Sequence, residues 1–283
     1  MSEIRVGVAL GGGGARGLSH IPVLEALDEL GITPYAVTGT SIGSLIGAGY
    51  CGGMSGNDIR EYVSATFGKR NQVLGKLWQL RPRKFSDLFV PNPVQLDSQE
   101  VLEIFAGEVL PASFTQMKIP FTAIAADYYT ASEVDLTTGP LLSAIAGSIA
   151  IPFLFRPVVR GEKLLIDGGV VNPLPFDRLP EECDIVIAVD VVGIPTQRDG
   201  RQFPTPTDSL FGAMQILMQT IVQEKLKERS PDLLIRPPID DFQVLDFLRT
   251  DEILATTTPM REAVKRQLAE HIEEKLKDGK SSS

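Results

Sequence analysis

The pattern of apolar and polar positions switches period several times within the first fifty residues. Ile4 to Leu10 is an apolar run with three β-branched residues, Ile4, Val6 and Val8, and reads as a buried strand. Four glycines, Gly11 to Gly14, break it. From about Arg16 to Leu30 the period becomes helical, with Ile21, Leu24, Leu27 and Leu30 on one face and Gly31 as the stop. Tyr35 to Thr38 reads as a second short strand, and Ser41 opens a second helix, rich in small residues, that ends near Gly52 and Gly53. This strand–helix–strand–helix order predicts an α/β fold with a largely parallel sheet. Later strands are predicted at Ile119–Ala126, Glu133–Thr137, Leu164–Asp167 and Ile185–Asp190, and a helix over Pro140–Ala150, ended by Pro152.

Two stretches break the alternation. Asn71 to Asp97 carries Pro82, Pro91 and Pro93 with little period, and reads either as a flap over a site or as a long surface connection. Residues 194–208 hold Pro195, Pro204 and Pro206 among polar neighbours and read as a loop leaving the sheet. Beyond it Leu210, Met214, Leu217 and Ile221 recur at helical spacing, as do Val264, Leu268, Ile272 and Leu276 in a last helix.

Composition narrows the function classes. With 283 residues, 43% hydrophobic and 22% charged, the chain can bury a core without disulfides or metals. A net charge of −9 disfavours phosphate backbones, so nucleic acid is a poor partner. It also weakly repels anionic headgroups, so any peripheral membrane contact has to rest on apolar groups. The two cysteines, Cys51 and Cys183, read as reduced, buried thiols. MSEIRVGVAL is too short and too acidic for a secretory signal, and no run reaches the ~18–20 apolar residues of a membrane span. These features point to a cytoplasmic protein.

Three short motifs carry chemistry. GGGGARG contains G-x-G-x-x-G at Gly12, Gly14 and Gly17, between a strand and a helix. A dinucleotide site would place a carboxylate at the end of the second strand, where this chain has Thr38-Gly39-Thr40. Glycine-rich turns at a helix start also gather backbone N–H groups that can stabilise an oxyanion. GTSIG, Gly39 to Gly43, is a G-x-S-x-G in the strand–turn–helix context of a nucleophile elbow. A nucleophilic Ser41 needs a base. Only two histidines exist: His20, on or beside the apolar face of the first helix, reads as a hydrogen-bonded packing residue, and His271, among Glu270, Glu273 and Glu274, as solvated. Asp167-Gly168-Gly169, after a short strand, offers a carboxylate that can approach another loop, although Asp-Gly is also a common hairpin turn.

In this order, G-G-G-x-R-G, G-x-S-x-G and D-G-G resemble the patatin-like phospholipases, and bacterial members related to the neuropathy-target-esterase catalytic domain most of all. The resemblance runs from about Val6 to Val192 and includes LSAIAGSIAIPFLFRP (Leu142–Pro157) and VVNPLP (Val170–Pro175). It implies a three-layer α/β/α fold, with residues 4–195 as catalytic domain and 196–283 as a mostly helical extension packed on it. It further implies a serine acyl hydrolase of lipid esters that needs no metal or cofactor. Ser41 would be the nucleophile and Asp167 the base, while Gly12, Gly13, Gly14 and Arg16 would line an oxyanion hole. Gly17, Gly39, Gly43, Gly168 and Gly169 would be the motif glycines. An apolar substrate channel is expected from Phe153, Leu154, Phe155 and the 71–97 segment. The alternative is a lipid- or protein-binding chain with a vestigial site. The lipid class and the oligomeric state are not legible in the sequence.

Overall fold

The computed structural model describes residues 4–68, 73, 95–197 and 202–281. The strands are β1 (Val6–Leu10), β2 (Ala36–Thr40), β3 (Phe121–Asp127), β4 (Ser132–Leu136), β5 (Val158–Arg160), β6 (Lys163–Asp167), β7 (Ile185–Val189) and β8 (Leu233–Ile235). The helices are α1 (His20–Glu29), α2 (Ile42–Gly52), α3 (Gly56–Phe67), α4 (Ser98–Ala106), α5 (Leu141–Ser148), α6 (Pro206–Glu228), α7 (Thr250–Thr257) and α8 (Met260–Ser281).

One sheet holds all eight strands. β8, β7, β1, β2 and β3 run parallel in that spatial order, whereas β4, β5 and β6 are antiparallel to their neighbours. Side chains alternate across it, as a period of two requires. Val6, Val8 and Leu10 of β1, with Ile185, Ile187 and Val189 of β7, face a core shared with α1, α2, α7 and α8. Ala9 of β1 and Val186 and Ala188 of β7 face the opposite core, built from Leu174, Phe176, Leu179 and Val222 of α6. Burial on both faces explains why these strands read as continuous apolar runs. The result is the expected α/β/α layering.

The register of β3 decides what the sheet can position. Its Phe121–Ile124 pairs with Val37–Thr40 of β2, and its Ala125–Asp127 pairs with Asp167–Leu165 of β6. β4 pairs with Ala123–Asp127. Ala123 and Ile124 contact both β2 and β4, and Ala125 contacts both β4 and β6. β2 and β6 therefore lie on the same edge of β3, running toward each other. Thr40 and Asp167 oppose adjacent residues, Ile124 and Ala125.

Several boundaries differ from the sequence pattern. β3 starts at Phe121 rather than Ile119, because Pro120 has no N–H for the ladder; its carbonyl still accepts from Val37. Residues Gly14–Ser19 form a tight 3₁₀ turn, and α1 proper begins at His20. α6 begins inside the expected loop, capped by Thr205 with Asp208 in a reciprocal box and Pro206 in its first turn. The Leu210–Met214–Leu217–Ile221 stripe is not its buried face: Leu217 is 66% exposed, while Gln215 and Val222 are buried. Cys51 is buried and Cys183 only half-buried, both as free thiols. Most of the 71–97 segment, residues 71, 72 and 74–94, lies outside the described residues.

Charge pairs fasten the helical layer. Glu25 of α1, 5% exposed, accepts from Arg60 Nε and Nη2 of α3 at 2.5 and 2.8 Å and from Arg261 Nη1 of α8 at 3.4 Å. Removing a buried partner from such a cluster leaves uncompensated charge. Glu25→Ala is expected to cost about 3 kcal/mol in urea unfolding, well above the ~0.5 kcal/mol or less of surface substitutions.

Candidate active site

Ser41 sits where β2 turns into α2. Its φ of 54° is in the left-handed region, which a non-glycine residue enters at a cost of about 1–3 kcal/mol and which persists only when the surroundings enforce it. The surroundings here are explicit. The Ser41 N–H donates to Ser148 Oγ at 3.0 Å, and Ser148 donates in turn to the Ile124 carbonyl at 2.6 Å. Thr40 Oγ1 donates to the Asn172 carbonyl at 2.7 Å. The turn closes only because Gly39 and Gly43 meet: a Cβ at Gly43 would lie 2.1 Å from the Leu10 carbonyl oxygen, and one at Gly39 2.5 Å from that of Gly43. Gly17 lets the first helix lean on Ile42.

Asp167 ends β6 facing this turn. Ser41 Oγ donates to Asp167 Oδ2 at 2.6 Å, and the Gly169 N–H donates to Oδ1 at 2.7 Å. Gly168 allows the approach, since a Cβ there would be 2.3 Å from the Ile124 carbonyl oxygen. Both side chains are buried. Burial disfavours the charged carboxylate and pushes its pKa up to about 6, with the Ser41 and Gly169 hydrogen bonds pulling the other way.

The glycine loop passes beside Ser41, and a Cβ at Gly12 would come within 3.2 Å of Ser41 Cβ. Its N–H groups are not equivalent. Gly12 N–H donates to the Pro173 carbonyl at 2.9 Å and Ala15 N–H to that of Val244 at 2.8 Å. The Gly13 and Gly14 N–H groups between them have no acceptor among the described residues. The Gly12 N–H is thus committed to the Pro173 carbonyl, while Gly12 itself lines the loop beside Ser41. Arg16, 3% exposed, lines the cavity at Ser41, and its Nε donates to the Gly13 carbonyl at 3.3 Å. In a trans peptide the C=O and the following N–H point opposite ways, so a guanidinium on the Gly13 oxygen turns the Gly14 N–H away from itself. A small cavity of about 40 Å³ joins Gly13, Gly14, Ser41 and Asp167.

His20 is fully buried, with Nε2 2.8 Å from the Gly11 carbonyl oxygen. Burial lowers its pKa to about 4, so near neutral pH it is uncharged and Nε2–H donates to Gly11. It tethers the loop, as the packing reading expected. His271 lies on α8, bonded to the Gln267 carbonyl within its own helix.

A second cavity of about 420 Å³ opens at Ser41 and Gly14 and is lined almost wholly by aliphatic and aromatic side chains, among them Ile46, Val63, Leu102, Phe105 and Phe247. Leu154 and Phe155 line it as expected, and so do Val73 and Leu96. Phe153 does not; it is 53% exposed. Sequence reasoning missed the α6 residues Phe211, Gln215 and Met218 and the loop residue Val244, which with Met214 of the predicted stripe wall the cavity over Ser41 and Asp167. The α6 residues follow one helical face, which shares only Met214 with the apolar stripe visible in the sequence. Ser148 was hidden inside an apolar segment with nothing local to mark it. Among the described residues no helix is long and apolar enough to cross a membrane.

A model of the patatin-like phospholipases matches residues 8–180. An uncharacterised NTE family protein of Mycobacterium tuberculosis is 34% identical over 193 residues, covering 68% of this chain and 50% of its own length. Lysophospholipase NTE1 of Kluyveromyces lactis is 29% identical over 287 residues, covering 89% of this chain and 18% of its own. The chain therefore spans half or less of the length of these relatives. Among solved structures, human GIVD cytosolic phospholipase A2 with a methyl γ-linolenyl fluorophosphonate aligns over 96% of this chain and 59% of its own at 12% identity, with a TM-score of 0.47. The family model covers more than half of the sequence, and the chain belongs to the patatin-like phospholipases.

Proposed function

We propose that the chain hydrolyses acyl esters of lipids, with Ser41 as nucleophile, Asp167 as general base and the Gly13 and Gly14 N–H groups as oxyanion donors. The observation that carries this reading is the 2.6 Å hydrogen bond from Ser41 Oγ to Asp167 Oδ2, at the mouth of the apolar cavity. The acyl chain occupies that cavity, which brings its carbonyl carbon to Ser41. Oγ attacks while its proton passes to Asp167 Oδ2. The carbonyl oxygen becomes an oxyanion and takes the two N–H groups. Collapse breaks the ester C–O bond, and Asp167 returns the proton to the leaving alkoxide. Water then attacks the acyl-enzyme with Asp167 again accepting a proton, and Ser41 is regenerated. A carboxylate with a pKa near 6 suits this role better than an exposed aspartate, because general-base strength rises with pKa while the group stays ionised near neutrality.

Relatives named as phospholipase and lysophospholipase agree with a lipid ester as substrate. The apolar cavity agrees with it independently. A cytoplasmic location and peripheral contact with a lipid surface belong to the same reading.

Ser41→Ala is expected to lower ester hydrolysis at least ~10³-fold with an unchanged circular dichroism spectrum, and to abolish labelling by a fluorophosphonate probe. Full activity in that variant sinks the assignment. kcat/KM should rise with pH through about 6 and then level off, since the base must be ionised.

Stability should move the opposite way. An aspartate with its ordinary value near 3.8 is deprotonated in the unfolded chain before the native one lets go at about 6. Native Asp167 holds the extra proton between these values, so its contribution is full below pH 3.8 and is lost as pH rises through 6, by ~3 kcal/mol. Asp167→Asn keeps an acceptor for Gly169 and loses the charge. It is expected to be inactive yet to melt above the wild type at pH 7, the gain vanishing below pH 4 in calorimetry.

A further inference from the structure

The β3 ladder is not the only fastening that Ser41 and Asp167 share. The C-terminal end of α5 and the residues just after it hold both by their backbones. The Ser41 N–H donates to Ser148 Oγ at 3.0 Å, and two residues further on the Ala150 carbonyl accepts the Asp167 N–H at 3.0 Å. Ser148 and Ala150 are fully buried. A stretch of three residues therefore references the elbow and the end of β6 to one another.

The two contacts differ in kind. The one to Asp167 joins backbone to backbone, so any residue at 150 supplies it. The one to Ser41 needs the side chain of Ser148. A hydroxyl has one proton and two lone pairs. The Ser148 proton goes to the Ile124 carbonyl of β3 at 2.6 Å, which leaves only lone pairs to face the Ser41 N–H. Without that hydroxyl the Ser41 N–H loses its acceptor inside the protein, at the one turn residue whose φ of 54° has to be held against its own cost. Relaxation of that φ swings Oγ away from Asp167 Oδ2, where it now sits at 2.6 Å.

The same stretch offers a comparison. Ser98, the first residue of α4 and 1% exposed, donates from Oγ to the Ala146 carbonyl at 3.0 Å. That carbonyl lies in the last turn of α5, where intrahelical donors run out. Ser98 and Ser148 are thus two buried hydroxyls tied to one segment, and only Ser148 bonds to the backbone of the nucleophile.

We propose that Ser148 is a positioning residue of the hydrolase: its hydroxyl, fixed between β3 and the elbow, holds the strained Ser41 backbone so that Oγ stays on Asp167. This rests on the reading of Ser41 as nucleophile. Ser148 lines neither cavity at Ser41, so its removal acts on the chemical step and leaves substrate binding alone.

The test compares Ser148→Ala and Ser98→Ala with wild type, in the full chain, on 4-nitrophenyl octanoate, with thermal melting followed in parallel. Both variants lose a buried hydrogen bond and are expected to melt below wild type. In Ser148→Ala kcat falls roughly 30-fold with KM unchanged, the scale of a misplaced reacting group. Its kcat/KM profile also moves to a higher pH midpoint, because the Ser41 hydrogen bond is one of those that pull the Asp167 pKa down. Ser98→Ala keeps the wild-type kcat and midpoint. A folded Ser148→Ala with wild-type kcat or wild-type midpoint overturns the proposal, and so does an equal fall of kcat in both variants. If Ser148→Ala does not fold, Ser148→Cys takes its place, since a thiol fills the position but accepts hydrogen bonds only weakly; lowered kcat with a raised midpoint supports the proposal, and wild-type values of either refute it. If wild type hydrolyses no ester, the hydrolase reading has failed. Crystal structures of wild type and variant then judge the positioning by itself: Ser41 Oγ more than about 3.2 Å from Asp167 Oδ2 in the variant supports it, and an unaltered hydrogen bond refutes it.

Discussion

The short hydrogen bond between Ser41 and Asp167 depends on one constraint, the sharing of a single edge of β3 by two strands that run toward each other. β2 delivers its C-terminal end opposite Ile124, and β6 delivers its own opposite Ala125. The ladder fixes both to the spacing of consecutive residues, far more tightly than two free loops could be held. Ser148 donates to the Ile124 carbonyl and Gly168 packs close against it, so the same residue of β3 meets the turn of each partner. A parallel β6 would have presented Asp167 at the opposite end of the sheet. The antiparallel exception in a mostly parallel sheet is what brings the pair together.

The site also concentrates local costs that the rest of the fold offsets. Ser41 has a strained backbone, Asp167 is a buried carboxylate, and the Gly13 and Gly14 N–H groups have no acceptor among the described residues. None of these would persist in an isolated segment. They are held by buried side chains on both faces of β1 and β7, and by hydrogen bonds from His20, Arg16 and Thr40 that tie the glycine loop and the elbow to neighbouring carbonyls. Each of these polar side chains bonds to backbone rather than to the reacting groups. Their role is to leave the remaining backbone N–H groups with one orientation.

Much of this was legible in the sequence where the signal is local and periodic. β1, β2, β6 and β7 were recognised from apolar runs to within two residues, and α2 from the elbow motif. The elements missed carry weaker patterns. β5 and β8 have three residues each, too short for any period, and α3 is polar enough to pass for a loop although its Ser55-x-x-Asp58 capping box was available. At the site, motif order paired Ser41 with Asp167, but nothing local distinguished the N–H of Gly12, committed to Pro173, from those of Gly13 and Gly14. That distinction depends on a carbonyl 161 residues downstream in the chain. Likewise the apolar stripe of α6 misled, because the helix is apolar on two faces and only the tertiary structure shows which one covers Ser41.

The position of α6 has a consequence for how the protein is made. The strands that bring Ser41 and Asp167 together are all synthesised before residue 170, yet the side chains that roof them come from Phe211 to Met218 and from Val244. Until α6 and the loop at Val244 pack, the corner that holds Ser41 and Asp167 lacks its roof. The enclosure arrives afterwards, once α6 and the loop at Val244 have folded back. Enclosure of the pocket thus waits on residues 211–244, well downstream of the strands that place Ser41 and Asp167.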